Sequence, residues 1–217
     1  MQSSAILTSP ARCQQKTGLS TQWFRQHWGL LLWGLLLLGV NLPLWRGGVN
    51  SSLLFLPGAA MHGQWWRWFT FPLVHLSWYH LLLDGGAFLL LYHGLQEKSR
   101  LNRTMILAMC STGSLLMGLW RGDVNAYGLS GLSSIAHGLM AFGALEMIRD
   151  ASQRTWGLAS LAMVAAKSLY ELISGKVAFE FMHMGLCGQP EAACHAGGVL
   201  GGLAVFALIS FCRRRRS

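Results

Sequence analysis

Charge is what this chain has least of. Only 12% of its 217 residues are Asp, Glu, Lys or Arg, and eight of them are acidic; a soluble domain carries about twice that fraction. With 53% hydrophobic residues and a mean hydropathy of +0.39, water is excluded as the main solvent. The five cysteines are too few and too scattered for a disulfide framework or a four-ligand zinc site. There is no HExxH string, and no repeat with a period on the order of 20 to 50 residues that would indicate a solenoid. Residues 1–26 are polar and basic, and the apolar run after them lacks a small-x-small cleavage site, which argues against a removed secretory signal.

Long apolar runs are abundant. A helix crossing a hydrocarbon layer about 30 Å thick needs roughly 20 apolar residues. Six windows approach that length: Trp28–Trp45, Phe69–Leu95, Thr104–Trp120, Ser133–Ile148, Trp156–Ile173 and Cys194–Cys212. They predict an all-α polytopic bundle of six transmembrane helices, with residues 1–26 as one tail, 27–212 as a single membrane domain and 213–217 as a basic second tail. The second window holds His75, His80, Asp84 and His93, the fourth His137 and Glu146, and the fifth Lys167 and Glu171. Such groups are costly against lipid, so these helices must turn a face to protein or water.

The net charge of +9 fits a membrane better than a nucleic acid. Threading six helices from a cytoplasmic N-terminus puts 12 of the 17 Lys and Arg residues inside, four outside (Arg46, Arg67, Arg121 and Lys176), and Lys167 within a helix. That asymmetry predicts both termini in the cytoplasm of a multi-pass protein, expected in a bacterial inner membrane. Arg213–Arg216 then reads as a stop-transfer and anionic-lipid anchor. The outside segment from Arg46 to Trp68, with its Trp65-Trp66-Arg67-Trp68 cluster, reads as an interfacial loop whose aromatic residues mark the bilayer surface. Cys187 and Cys194 flank an outside loop where an oxidising compartment would permit a disulfide.

Three clusters of reactive side chains fall in helices two, four and six, at the outer half of the membrane. The first is His75-Leu-Ser-Trp-Tyr-His80-Leu-Leu-Leu-Asp84, in which His80 and Asp84 at i and i+4 share a helix face. The second is Tyr127-Gly-Leu-Ser130-Gly-Leu-Ser133-Ser134-Ile-Ala-His137-Gly138, a glycine and serine run opening a helix. The third is His195-Ala-Gly-Gly198-Val-Leu-Gly-Gly202, whose small residues at helical spacing permit close helix packing. A serine becomes a nucleophile when a histidine takes its proton, and the tetrahedral oxyanion then needs nearby donors. Serine, histidine and donors from these three helices would suffice.

In combination these motifs resemble the rhomboid family from Trp65 to Cys212, adding Trp66-Arg67 and Gly94-Leu-Gln-Glu-Lys98 to the three clusters. The resemblance implies an intramembrane serine endopeptidase with a Ser-His dyad and no acidic third member. His195 would be the general base, His80 an oxyanion donor, and Asp84 and His137 neighbours of the dyad. Gly128-Leu-Ser130-Gly131 carries the complete GxSG string, whereas registry favours Ser133, so Ser130 stays as the alternative nucleophile. The GLSxxxHG form with His137 resembles the rhombosortase branch, which implies removal of C-terminal GlyGly-type anchors. Its partners would be the bilayer and a membrane-anchored protein substrate, with no nucleic acid and no cofactor. Asp84 departs from the family's usual asparagine: an amide can donate to an oxyanion, whereas an ionised carboxylate only accepts. Asp84 would therefore be either protonated and donating, or ionised and holding His80 as imidazolium. A second reading is an inactive rhomboid-like protein that binds or retains membrane proteins. A third takes His75, His80, Asp84, His137 and His195 as a transition-metal path, since imidazole and carboxylate suit zinc or copper, although their spacing is loose.

Overall fold

Each of the six apolar windows contributes a long helix, and the polar stretches between them supply the breaks. The computed structural model of the chain describes residues 18–122, 124–178 and 192–215. The long helices are α1 (Gly18–Val40), α4 (Trp78–Gly94), α5 (Arg100–Arg121), α7 (Ser133–Arg149), α8 (Arg154–Ser174) and α9 (Ala192–Arg214). Three short ones lie between them: α2 (Pro57–Met61), α3 (Arg67–Thr70) and α6 (Val124–Tyr127). Among the described residues no strand forms, and the one antiparallel bridge joins Phe55 to Leu129.

Apolar residues line both the core and the outer surface of the bundle. Leucines such as Leu35, Leu82 and Leu90 are 68%, 74% and 75% exposed on the outer surface, while His75, Glu171 and His195 are buried. An apolar exterior with the polar groups withdrawn into the core is what lipid selects, and the protein is an integral membrane protein. By length and apolarity, His27–Arg46 and Ala192–Arg214 can each cross a membrane, and Arg67–Leu73 with Trp78–Gly94 would make a third span if taken as one bent element. The other long helices carry the polar side chains of the interior and fall short of that standard. The count of six spans therefore stays an expectation.

The second window does not form one helix from Phe69 to Leu95. Arg67–Leu73 and Trp78–Gly94 meet at 97°. Pro72 ends the first piece, Val74 is extended, and Ser77 at φ −155° accepts from the His80 N–H as N-cap of α4. Local capping thus overrides a continuous apolar run. Asn41 staples the bend to α1, donating from Nδ2 to Leu37 O and Leu73 O (2.8 Å each) and accepting from the His75 N–H through Oδ1. Arg67 folds the preceding loop by donating to Gln64 Oε1, Ser51 O and Leu54 O.

At the centre is α9, packed against α5, α7 and α8. Its glycines allow that contact: a Cβ on Gly198 would overlap the Ser134 carbonyl, and one on Gly202 the Gly138 carbonyl. Gly198 and Gly202 thus leave room for the α7 backbone to approach α9. The proposed Cys187–Cys194 bridge cannot be followed, because Cys187 lies outside the described residues.

Candidate active site

Ser133 is the first residue of α7, where a helix presents unsatisfied backbone N–H groups. Its hydroxyl lies 3.0 Å from His195 Nε2 on α9. On the far side of the imidazole, Nδ1 lies 2.7 Å from Glu171 Oε2 on α8. A carboxylate oxygen accepts, so Nδ1 carries the proton, and Nε2 presents its lone pair to the Ser133 O–H. That is the tautomer a general base requires. Ser130, the other candidate, sits half-buried in the non-helical stretch before α7, and the hydroxyl that meets His195 belongs to Ser133.

Glu171 is a residue that motif reading missed. Its side chain is fully buried, and Oε1 accepts from Lys167 Nζ at 2.5 Å and from the Ala178 N–H at 2.9 Å. Lys167 Nζ is also 2.9 Å from His137 Nε2. His137 Nδ1 lies 2.7 Å from the Ser133 carbonyl, which only accepts, so Nδ1–H donates and Nε2 takes the ammonium proton. The hydrogen bonds close a ring from the Ser133 hydroxyl through His195, Glu171, Lys167 and His137 back to the Ser133 carbonyl. The rings of His137 and His195 stack 4.2 Å apart and 10° from parallel, which fixes the plane of the base.

Asp84 and His80 face the serine from α4, on one helix face as their spacing predicts. Asp84 Oδ2 accepts from the Ser133 N–H at 3.1 Å and lies 3.0 Å from His80 Nε2. The Leu76 N–H donates to His80 Nδ1 at 3.2 Å, so the one N–H of His80 is at Nε2 and points to Asp84. The contact pairs His80 with Asp84, the pairing that both alternatives for Asp84 require. The two donors that an oxyanion beside Ser133 would use are thus both engaged by Asp84 Oδ2. Gly131, at φ +91°, passes so close that a Cβ would lie 2.7 Å from Asp84 Oδ2 and 2.8 Å from His80 Nε2. His75 is buried outside α4, 3.9 Å from Asp84 Oδ2, and both its ring nitrogens lack hydrogen-bond partners.

His137, Glu171 and His195 offer ligand atoms within 4.8 Å of one another, a set whose chemistry suits a metal. Lys167 already supplies a positive charge to two of them, so the donor set is matched to an ammonium rather than to an added cation. His75, His80 and Asp84 lie on the other side of Ser133, and the five residues of the imagined metal path are divided between two clusters.

A family model described as a rhomboid domain matches residues 62–211. The chain belongs to the rhomboid family. Rhomboids are in general intramembrane serine proteases acting on membrane proteins, and the serine and histidine in contact here both lie within the matched region. Comparison with curated proteins and with solved structures gives no match.

Proposed function

We propose that the chain is an intramembrane serine endopeptidase with Ser133 as nucleophile and His195 as general base. The observation that carries this reading is the 3.0 Å contact between the Ser133 hydroxyl and His195 Nε2. The Ser133 oxygen attacks the scissile carbonyl carbon while its proton passes to Nε2. The resulting oxyanion binds at the Ser133 N–H and His80 Nε2–H, the two donors now directed at Asp84 Oδ2. Collapse breaks the C–N bond, His195 returns its proton to the leaving amine, and water repeats the sequence on the acyl-enzyme.

The substrate is a membrane-anchored protein cut in or near its transmembrane segment, with both termini of the enzyme in the cytoplasm of a bacterial inner membrane. His137 in the GLSxxxHG string supports the rhombosortase branch and hence a C-terminal GlyGly-type anchor. The test is cleavage of a reporter ending in a small-residue motif, a transmembrane helix and a basic tail. Ser133→Ala and His195→Ala should abolish cleavage and Ser130→Ala should retain it. Cleavage persisting in all three variants removes the reading.

One observation favours a second reading, a rhomboid-like protein that binds membrane segments without cutting them: Asp84 already occupies the oxyanion donors. Intact reporter co-purifying with the wild-type chain, with no product at any pH, would select it.

A further inference from the structure

We propose that Glu171 is a positioning residue for His195, so that this chain works with a Ser133–His195–Glu171 triad in place of the family's dyad. The inference rests on the hydrolytic reading of Ser133 and His195. It is carried by three geometrical facts: the carboxylate is fully buried, Oε2 stands 2.7 Å from Nδ1 of the base, and the three groups lie in sequence with Nε2 directed to the Ser133 hydroxyl.

A bare carboxylate at this depth would be costly. Here Lys167 Nζ, the Ala178 N–H and His195 Nδ1–H supply three donors to its two oxygens. Lys167 neutralises the charge through Oε1 and leaves Oε2 for the imidazole. When the Ser133 proton moves to Nε2, the ring becomes a cation, and a carboxylate in a low-dielectric interior stabilises it far more than water could. Without the carboxylate, neither the tautomer nor the ring orientation is fixed from that side. Stacking on His137 would still hold the plane of the ring but could not select which nitrogen carries the proton.

A purely structural pin between α8 and α9 would use the same atoms, so the test reads the base itself. Among the described residues, the titratable groups around His195 and Ser133 are Glu171 and Lys167 from α8, His137 from α7, and His80 and Asp84 from α4. The full chain, purified in detergent micelles, would be reacted with a fluorophosphonate probe, and the rate of Ser133 labelling followed against pH. Such labelling needs no knowledge of the natural substrate. Glu171→Gln should slow it at neutral pH by about 10² to 10⁴-fold. It should also move the midpoint of the pH profile downward, because a neutral amide no longer favours the protonated imidazole. Glu171→Asp should recover part of the rate and the wild-type midpoint.

A folded Glu171→Gln chain labelled at the wild-type rate with the wild-type midpoint would overturn the triad. If that variant fails to fold with Lys167 left unpaired, the double change Lys167→Met with Glu171→Gln removes both charges and is judged by the same two readings. A wild-type chain unlabelled at Ser133 overturns the hydrolytic reading itself, and the triad with it. Wild-type labelling combined with an indifferent Glu171→Gln overturns the triad alone.

Discussion

Asp84 sits where an asparagine would leave an N–H free, and its Oδ2 fills the position between the Ser133 N–H and His80 Nε2–H. An arriving oxyanion must displace this carboxylate or meet it protonated. Asp84→Asn replaces an acceptor with a donor-bearing amide of the same shape, and should raise turnover by up to about 10²-fold, the low end of what one oxyanion donor contributes. Turnover measured on the membrane reporter decides: a folded Asn variant that loses activity shows that the negative charge is required, and an indifferent Asp84→Ala shows that the side chain takes no part. Another carboxylate, Glu97, governs stability. It is buried, accepts from the Ser99 N–H at 2.9 Å and Asn102 Nδ2 at 3.0 Å, and pairs with Arg213. Burial alone would push its carboxyl up, but the bonds from Ser99 and Asn102 and the charge of Arg213 outweigh burial and hold it below the ordinary range. A carboxyl lowered on folding stabilises above its unfolded value of 4.5, and the contribution fades as pH falls through the lower folded value. Glu97→Gln should therefore cost about 1–2 kcal/mol at neutral pH and flatten the acid limb of thermal stability, as read by melting in detergent between neutral pH and pH 3.

At the scale of the elements, α9 and α7 meet through glycine. Gly198→Ala places a methyl group against the Ser134 carbonyl, one residue from the nucleophile, and α9 must retreat to accommodate it. The expected cost is about 1–3 kcal/mol, as for other overpacked cores, together with loss of Ser133 labelling because His195 moves with the helix. Wild-type labelling and melting in that variant would show the seam to be slack. The seam was suggested by the sequence, where Gly198 and Gly202 share a helix face with His195 and small residues at that spacing permit close helix packing. The placement of the long helices was legible from apolar length, and the pairing of His80 with Asp84 from their spacing. The bend between Leu73 and Trp78 was not, because Ser77 acting as N-cap and Val74 in extended conformation interrupt a run whose hydropathy is continuous. Glu171 was half legible: a carboxylate in an apolar helix had to face protein. Yet Lys167 four residues earlier looks like a sufficient partner, and the contact with His195 is made across 24 residues of chain, where no local spacing reports it.

At the scale of the whole molecule, large apolar side chains cover the outer surface while the charged groups Glu171 and Arg67 are buried, and the six-span thread expects the basic residues to divide unevenly between the two sides. If six helices span the bilayer, reporter fusions after Lys98, Ala151 and Ser217 should all mark the cytoplasm, and fusions after Gly63 and Gly175 the opposite side. A fusion after Ser217 on the outer side would require an odd number of spans and a different thread. The central position of α9 also imposes an order in time. The ribosome reaches His195 62 residues after Ser133, so α4, α7 and α8 all leave it before α9 does. Until that last element inserts among its neighbours, the Ser133 hydroxyl has no imidazole beside it. On the proposed hydrolytic reading, a chain that lacks α9 would be chemically silent toward membrane proteins, and competence would arrive with the last helix.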